Sequence, residues 1–96
     1  MKVYVYKEYG MCDYESFNNI EIFQTWEKAQ EYFKKQVKNE KLSITNYNFN
    51  IVKDWDNAKD GEFLITDDTE SCFSGFEYGY SNDYSISIQI MEMECK

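Results

Sequence analysis

The hydrophobic period of this chain changes at Thr25, and that change restricts the folds open to it. Before Thr25, Ile20, Ile22 and Phe23 stand among polar Asn19, Glu21 and Gln24 in the two-residue rhythm of a strand. After it, Trp26, Ala29, Phe33 and Val37 recur at spacings of three and four, with Tyr32 and Gln36 at their border, which is the rhythm of one helix face. A strand therefore runs straight into a helix whose apolar side needs a sheet to cover it. Thr25 suits the N-cap, because its hydroxyl can accept from a first-turn N–H that otherwise lacks a partner, a contribution of about 1 kcal/mol. Glu27, Lys28, Glu31, Lys34, Lys35 and Lys38 hold the solvent side, acids early and lysines late, as the helix dipole favours. The spacing predicts a helix from about Trp26 to Val37, with Asn39 to Ser43 as a polar exit and Asn39 in the left-handed conformation.

The other segments alternate. Lys2 to Tyr9 places Val3 and Val5 on one face and Tyr4 and Tyr6 on the other, a pattern suited to the middle of a sheet, and ends at Gly10. Met11 to Asn18 reads as the loop of an antiparallel hairpin returning to the strand before Thr25. Asn46 to Trp55 alternates Tyr47, Phe49 and Ile51 with asparagines and is predicted as a strand. Asp60-Gly61 supplies a turn into a strand from Glu62 to Thr66. The last strand, Tyr84 to about Cys95, changes phase between Ile90 and Met91, which predicts a bulge near Ile90 or a strand end covered on both sides. The expected fold is α+β: one domain spanning residues 1–96, with a four- or five-stranded, mainly antiparallel sheet and one α-helix packed on one face.

Composition narrows the chemistry. The chain has no histidine, and so lacks the usual general base at neutral pH and the commonest transition-metal ligand. It has no arginine to clamp phosphate through a planar fork. Cys12, Cys72 and Cys95 are too scattered for a disulfide framework or a zinc site and read as reduced thiols. Asp54-x-Asp56 opens like a calcium loop, but Ala58, Lys59 and Ile65 stand where that loop needs a ligand, its glycine and its glutamate. No cofactor and no metal is expected. The N-terminus alternates instead of presenting a signal peptide's apolar block, and no run approaches membrane-spanning length, so the expected location is the cytoplasm.

Charge is unevenly placed. Residues 1–41 hold seven lysines and seven acids, whereas residues 42–96 hold three lysines and eleven acids, so the whole net charge of −8 lies in the second part. Such a field repels nucleic acid and steers a basic protein toward this surface. Between the last predicted strands, Asp67, Asp68, Glu70, Glu77 and Asp83 are interleaved with Phe73, Phe76, Tyr78 and Tyr80, with Gly75 and Gly79 between them. Tyrosine buries much area at low entropy cost, which makes the segment a candidate interface. The candidate partner-binding residues are Asp67, Asp68, Glu70, Phe76, Glu77, Tyr78, Tyr80 and Asp83.

The run Phe23-Gln24-Thr25-Trp26-Glu27-Lys28-Ala29-Gln30-Glu31-Tyr32, with Ile90-Met91-Glu92-Met93-Glu94 at the last strand, resembles small stand-alone proteins of Gram-positive bacteria and their phages. In size, acidity and aromatic content the chain is also similar to phage-encoded anti-CRISPR proteins. That resemblance implies a non-enzymatic inhibitor, monomeric or homodimeric, binding a basic nucleic-acid-handling protein such as a CRISPR effector nuclease and blocking its guide or DNA channel. Three other readings stand beside it: an immunity protein for a basic toxin, a small metal-dependent or acid–base enzyme using Asp67, Asp68 and Glu70, and a self-assembling domain using an exposed sheet edge.

Overall fold

The computed structural model describes residues 1–12, 15–79 and 84–94. Its elements are β1 (Lys2–Cys12), β2 (Glu15–Phe23), α1 (Trp26–Asn46), β3 (Ile51–Val52), a 3-10 turn (Trp55–Asn57), β4 (Phe63–Asp68), β5 (Cys72–Glu77) and β6 (Tyr84–Glu94). The strands form one mixed sheet in the order β2-β1-β6-β5-β4-β3, and the helix lies across β6, β1 and β2. The α+β class with a single helix on one face is as the periodicity implies. The strand count is six instead of four or five, and the β3–β4 pairing is parallel.

Thr25 is the N-cap, accepting from the Lys28 N–H at 3.3 Å. Ala29, Phe33 and Val37 are buried on the sheet. The helix does not stop there but continues two further turns to Asn46 and buries Ile44. Lys41 occupies the core-facing position between Val37 and Ile44, laying its ammonium 5.5 Å from the Phe73 ring centre, so a lysine does the covering that an apolar residue would announce. The left-handed residue is accordingly Asn48, at φ 64°, not Asn39. The Asn48 N–H donates to the Thr45 carbonyl and the Phe49 N–H to the Ile44 carbonyl, a Schellman ending.

The expected strand from Asn46 to Trp55 is therefore only Ile51–Val52. Tyr47 and Phe49 alternate because they fold back over the sheet, with ring centres 5.5 and 5.7 Å from that of Tyr84. The hairpin β1–β2 is longer than expected, with β1 continuing through Gly10 to Cys12 and β2 beginning at Glu15. β6 keeps an unbroken register against β1 from Cys12↔Tyr84 to Lys2↔Glu94, so no bulge occurs at Ile90. Met91 and Met93 instead face the side of the sheet away from the helix, opposite Val5 and Val3. Met93 is exposed, so the strand end is not covered on both sides either. Cys95 lies outside the described residues.

Gly61 and Gly75 are among the glycines that geometry requires. Gly61, at φ 85°, turns the chain into β4 as Asp60-Gly61 suggests. Gly75 lets β5 pass under Phe63, whose Cε1 would stand 2.5 Å from any Cβ there. The core on the helix side gathers Tyr6, Phe33, Phe63, Phe73, Ile86 and Ile88. At its border the Tyr84 hydroxyl donates to Glu40 Oε2 at 2.9 Å and the Tyr6 hydroxyl to Glu8 Oε1 at 2.6 Å. Burial raises the Glu40 carboxyl above the usual range; the Tyr84 hydrogen bond opposes that and the charge of Glu8 adds to it.

Candidate partner-binding site

The β4–β5 hairpin carries most of the acidic and aromatic residues singled out by the sequence, and it distributes them widely. Its register shifts between Ile65 and Asp67, leaving Thr66 as the extra residue of a bulge. Because side chains alternate along a strand, one extra residue exchanges the faces beyond it. Asp67 thus pairs with Ser74 on the open side of the sheet, where the Ser74 hydroxyl donates to it at 3.0 Å. Asp68 pairs with Phe73 on the helix side. Adjacent in sequence, the two carboxylates face opposite ways.

Asp68 is also neutralised from within. Lys53 and Lys41 both donate to its Oδ2, at 3.2 and 3.3 Å. Partial desolvation pushes this carboxyl up, but the hydrogen bonds from Lys53 and Lys41, with their charges, outweigh it and hold the group below the usual carboxylate range. Asp68 is a clasp between β4, the helix and the segment after β3. With Thr69 and Glu70 it walls a groove of about 660 Å³ whose other side is Lys34, Lys38 and Lys41, over Phe33 and Val37. Cys72, next along β5, has its thiol raised by burial and by the charge of Asp67, which favours the protonated form. Among the described residues no group of three or more acids and cysteines is placed to hold a metal ion.

Phe76 and Tyr78 lie at the other end of the hairpin. Six residues separate Cys72 from Tyr78, roughly 20 Å of strand, so Glu70 and Tyr78 belong to different surfaces. Phe76 shares the open face with Leu64, its pairing partner. Trp55 lies over this end, with its ring centre 5.5 Å from Phe76 and 6.2 Å from Tyr78. The 3-10 turn that places Trp55 is capped by Asp54, whose carboxylate accepts from the Asp56 N–H at 3.0 Å and from the Asn57 side chain at 2.6 Å. Gly61 N–H donates to the Tyr78 carbonyl and Tyr78 N–H to the Glu62 carbonyl, tying the turn before β4 to the end of β5. Asp60 packs there against Gly79, where an added Cβ would meet its Oδ1 at 2.8 Å.

Trp55 is 58% exposed although it rests on two rings. Asp54 and Asp56 flank it, and Asp60 stands beside Tyr78 through the Gly79 contact. Lys53, on one side, is drawn off to Asp68, and Lys59, next to Asp60, is the other cation of the segment. The result is an aromatic knob in an acidic collar. Glu77 pairs with Phe63 at the same end. Tyr80 and Asp83 lie outside the described residues. Alternation from Asn46 makes Trp55 only the end of a strand; the sequence signal for the knob is a tryptophan between two aspartates just after an apolar pair, Ile51-Val52. No helix among the described residues is long and apolar enough to cross a membrane. No family model, curated protein or solved structure matches the chain.

Proposed function

We propose that this chain is a non-enzymatic binding protein that inserts the Trp55 knob and its acidic collar into a basic surface of a nucleic-acid-handling protein, as an inhibitor of the anti-CRISPR kind. The observation that carries the reading is the half-exposed tryptophan seated on Phe76 and Tyr78 and flanked by Asp54 and Asp56. A tryptophan held by rings beneath it loses little side-chain freedom on binding, and such preorganised aromatics dominate interface energetics. Carboxylates around it match a groove built for phosphates and stacked bases, which offers cations and flat apolar surfaces together. Asp67 and Glu70, at the far end of the hairpin, contribute to the long-range field and not to this contact.

The experiment is inhibition of DNA cleavage by a panel of guide-loaded CRISPR effector nucleases and basic nuclease toxins, with purified chain in excess. Trp55→Ala should weaken inhibition of the responsive nuclease about 30-fold or more, corresponding to about 2 kcal/mol, mainly by faster dissociation. Asp56→Lys, which leaves the Asp54 cap of the 3-10 turn in place, should instead slow association and flatten its salt dependence. A responsive toxin in place of an effector would make the chain an immunity protein using the same knob. Equal inhibition by wild type and Trp55→Ala, or none across the panel, would overturn the reading.

A further inference from the structure

The sheet ends in two unlike edges. β3 is two residues long and is followed at once by Lys53 and the 3-10 turn, a short, charged edge of the kind that discourages pairing. β2 is nine residues long, pairs with β1 without a bulge, and contains neither lysine nor proline. Among the described residues no strand covers its outer side. Its Ile20 and Ile22 are 62% and 66% exposed.

The register places Ile20 and Ile22 on the open face with Val3, Val5, Met91 and Met93. Across β2, β1 and β6 that face comprises fourteen residues, of which Lys7 alone is charged, in a chain that is 29% charged. A solvated sheet face is normally polar and charged; here Ser16, Asn18, Ser85, Ser87 and Gln89 hold one end, and the other is apolar apart from Lys7. Two copies of a chain with net charge −8 repel each other over most of their surface, and β2 lies at the margin of a nearly uncharged region.

We infer that β2 pairs antiparallel with β2 of a second copy about a two-fold axis at Ile20, joining two sheets into one. The β2 sequence is self-complementary in that register: Ile20 stands opposite its own copy, Asn18 opposite Ile22, Asn19 opposite Glu21, and Phe17 opposite Phe23. Ile20–Ile20 is apolar, Phe17–Phe23 aromatic, Asn19–Glu21 a potential hydrogen bond and Asn18–Ile22 a polar–apolar pair, and no like charges stand directly opposite. Sliding by one pleat either sets Glu21 against itself or sets Phe17 against Glu21, so the side chains select one register as well as one edge. The occupant is a second copy because the same four residue pairs satisfy both partners at once, as a two-fold interface requires.

Sedimentation velocity over a dilution series should show a reversible monomer–dimer equilibrium. Ile20→Lys places two ammonium groups at the axis and should raise the dimer dissociation constant at least about tenfold, with unchanged circular dichroism because the site is exposed. In a background with the native cysteines replaced by serine, Ile20→Cys should cross-link under mild oxidation. Ile22→Cys should not, since the two copies of residue 22 lie four positions apart, about 13 Å, beyond disulfide reach. A wild-type monomer at every concentration, a dimer that survives Ile20→Lys, or equal cross-linking at the two positions would overturn the inference. So would a dimer broken by Met93→Lys and not by Ile20→Lys, which would mean that the open faces pack on each other.

Discussion

The two faces of this sheet are built from the same strands yet follow opposite rules. The helix side buries Tyr6, Phe33, Phe63, Phe73 and Ile88 and ties its border with Tyr84–Glu40 and Tyr6–Glu8 hydrogen bonds. The open side has no helix. Trp55 shelters its β4–β5 end, while Ile20, Ile22 and Met93 remain exposed at the β2–β1–β6 end. The difference teaches where energy and where contact reside. Most of the stability comes from the face that α1 covers, because most of the buried side chains lie there; on the open face Leu64 and Val5 are buried as well. The β2–β1–β6 end of the open face, where Ile20, Ile22 and Met93 are exposed, is left for encounters with other molecules.

The largest test of that contrast is Phe33→Ala. Phe33 is buried between helix and sheet, and truncation should cost about 3 to 5 kcal/mol in urea unfolding. A change below about 1 kcal/mol would mean that the helix does not carry the core. Glu40, at the border, should show an intermediate, pH-dependent effect. Its folded pKa is raised, chiefly by burial, so its contribution favours the fold below the unfolded carboxylate pKa and is lost as pH rises through the folded value. Glu40→Gln, which can still accept from the Tyr84 hydroxyl, should be more stable than wild type near neutrality, with the advantage vanishing toward pH 4. An advantage that grows on acidification would reverse the assignment. The smallest effect belongs to Ile22→Ser on the open face, within about 0.5 kcal/mol for the monomer. A cost above about 1.5 kcal/mol that grows with protein concentration would show Ile22 covered in solution and sharpen the contrast into an interface.

What was legible and what was not follow one physical divide. Thr25 as a cap and Asp60-Gly61 as a corner depend on neighbours a few residues away and stand where the local pattern puts them; the β1–β2 hairpin is present too, but its strands run through most of the expected loop. The helix end was hidden because Lys41 and Glu40 are polar in sequence yet spend themselves on Phe73 and Tyr84. Tyr47 and Phe49 mimic a strand because two rings folded over Tyr84 leave the same spacing as two residues of a ladder. The acidic segment was read as one surface. Strand alternation and the length of β5 divide it between two faces and two ends, and the bulge at Thr66 decides which carboxylate takes which face.

By itself the sequence determined the class of fold, the position of the strand-to-helix junction and the surplus of acid after residue 41, since these need only local periodicity and counting. Only the tertiary structure decided that β6 lies between β1 and β5, that Asp68 is matched by Lys41 from 27 residues away, and that Trp55 comes to rest on Phe76 and Tyr78. Strand order and long-range pairing are set by which faces bury one another in three dimensions, and a one-residue bulge is enough to decide which of two adjacent carboxylates faces the helix.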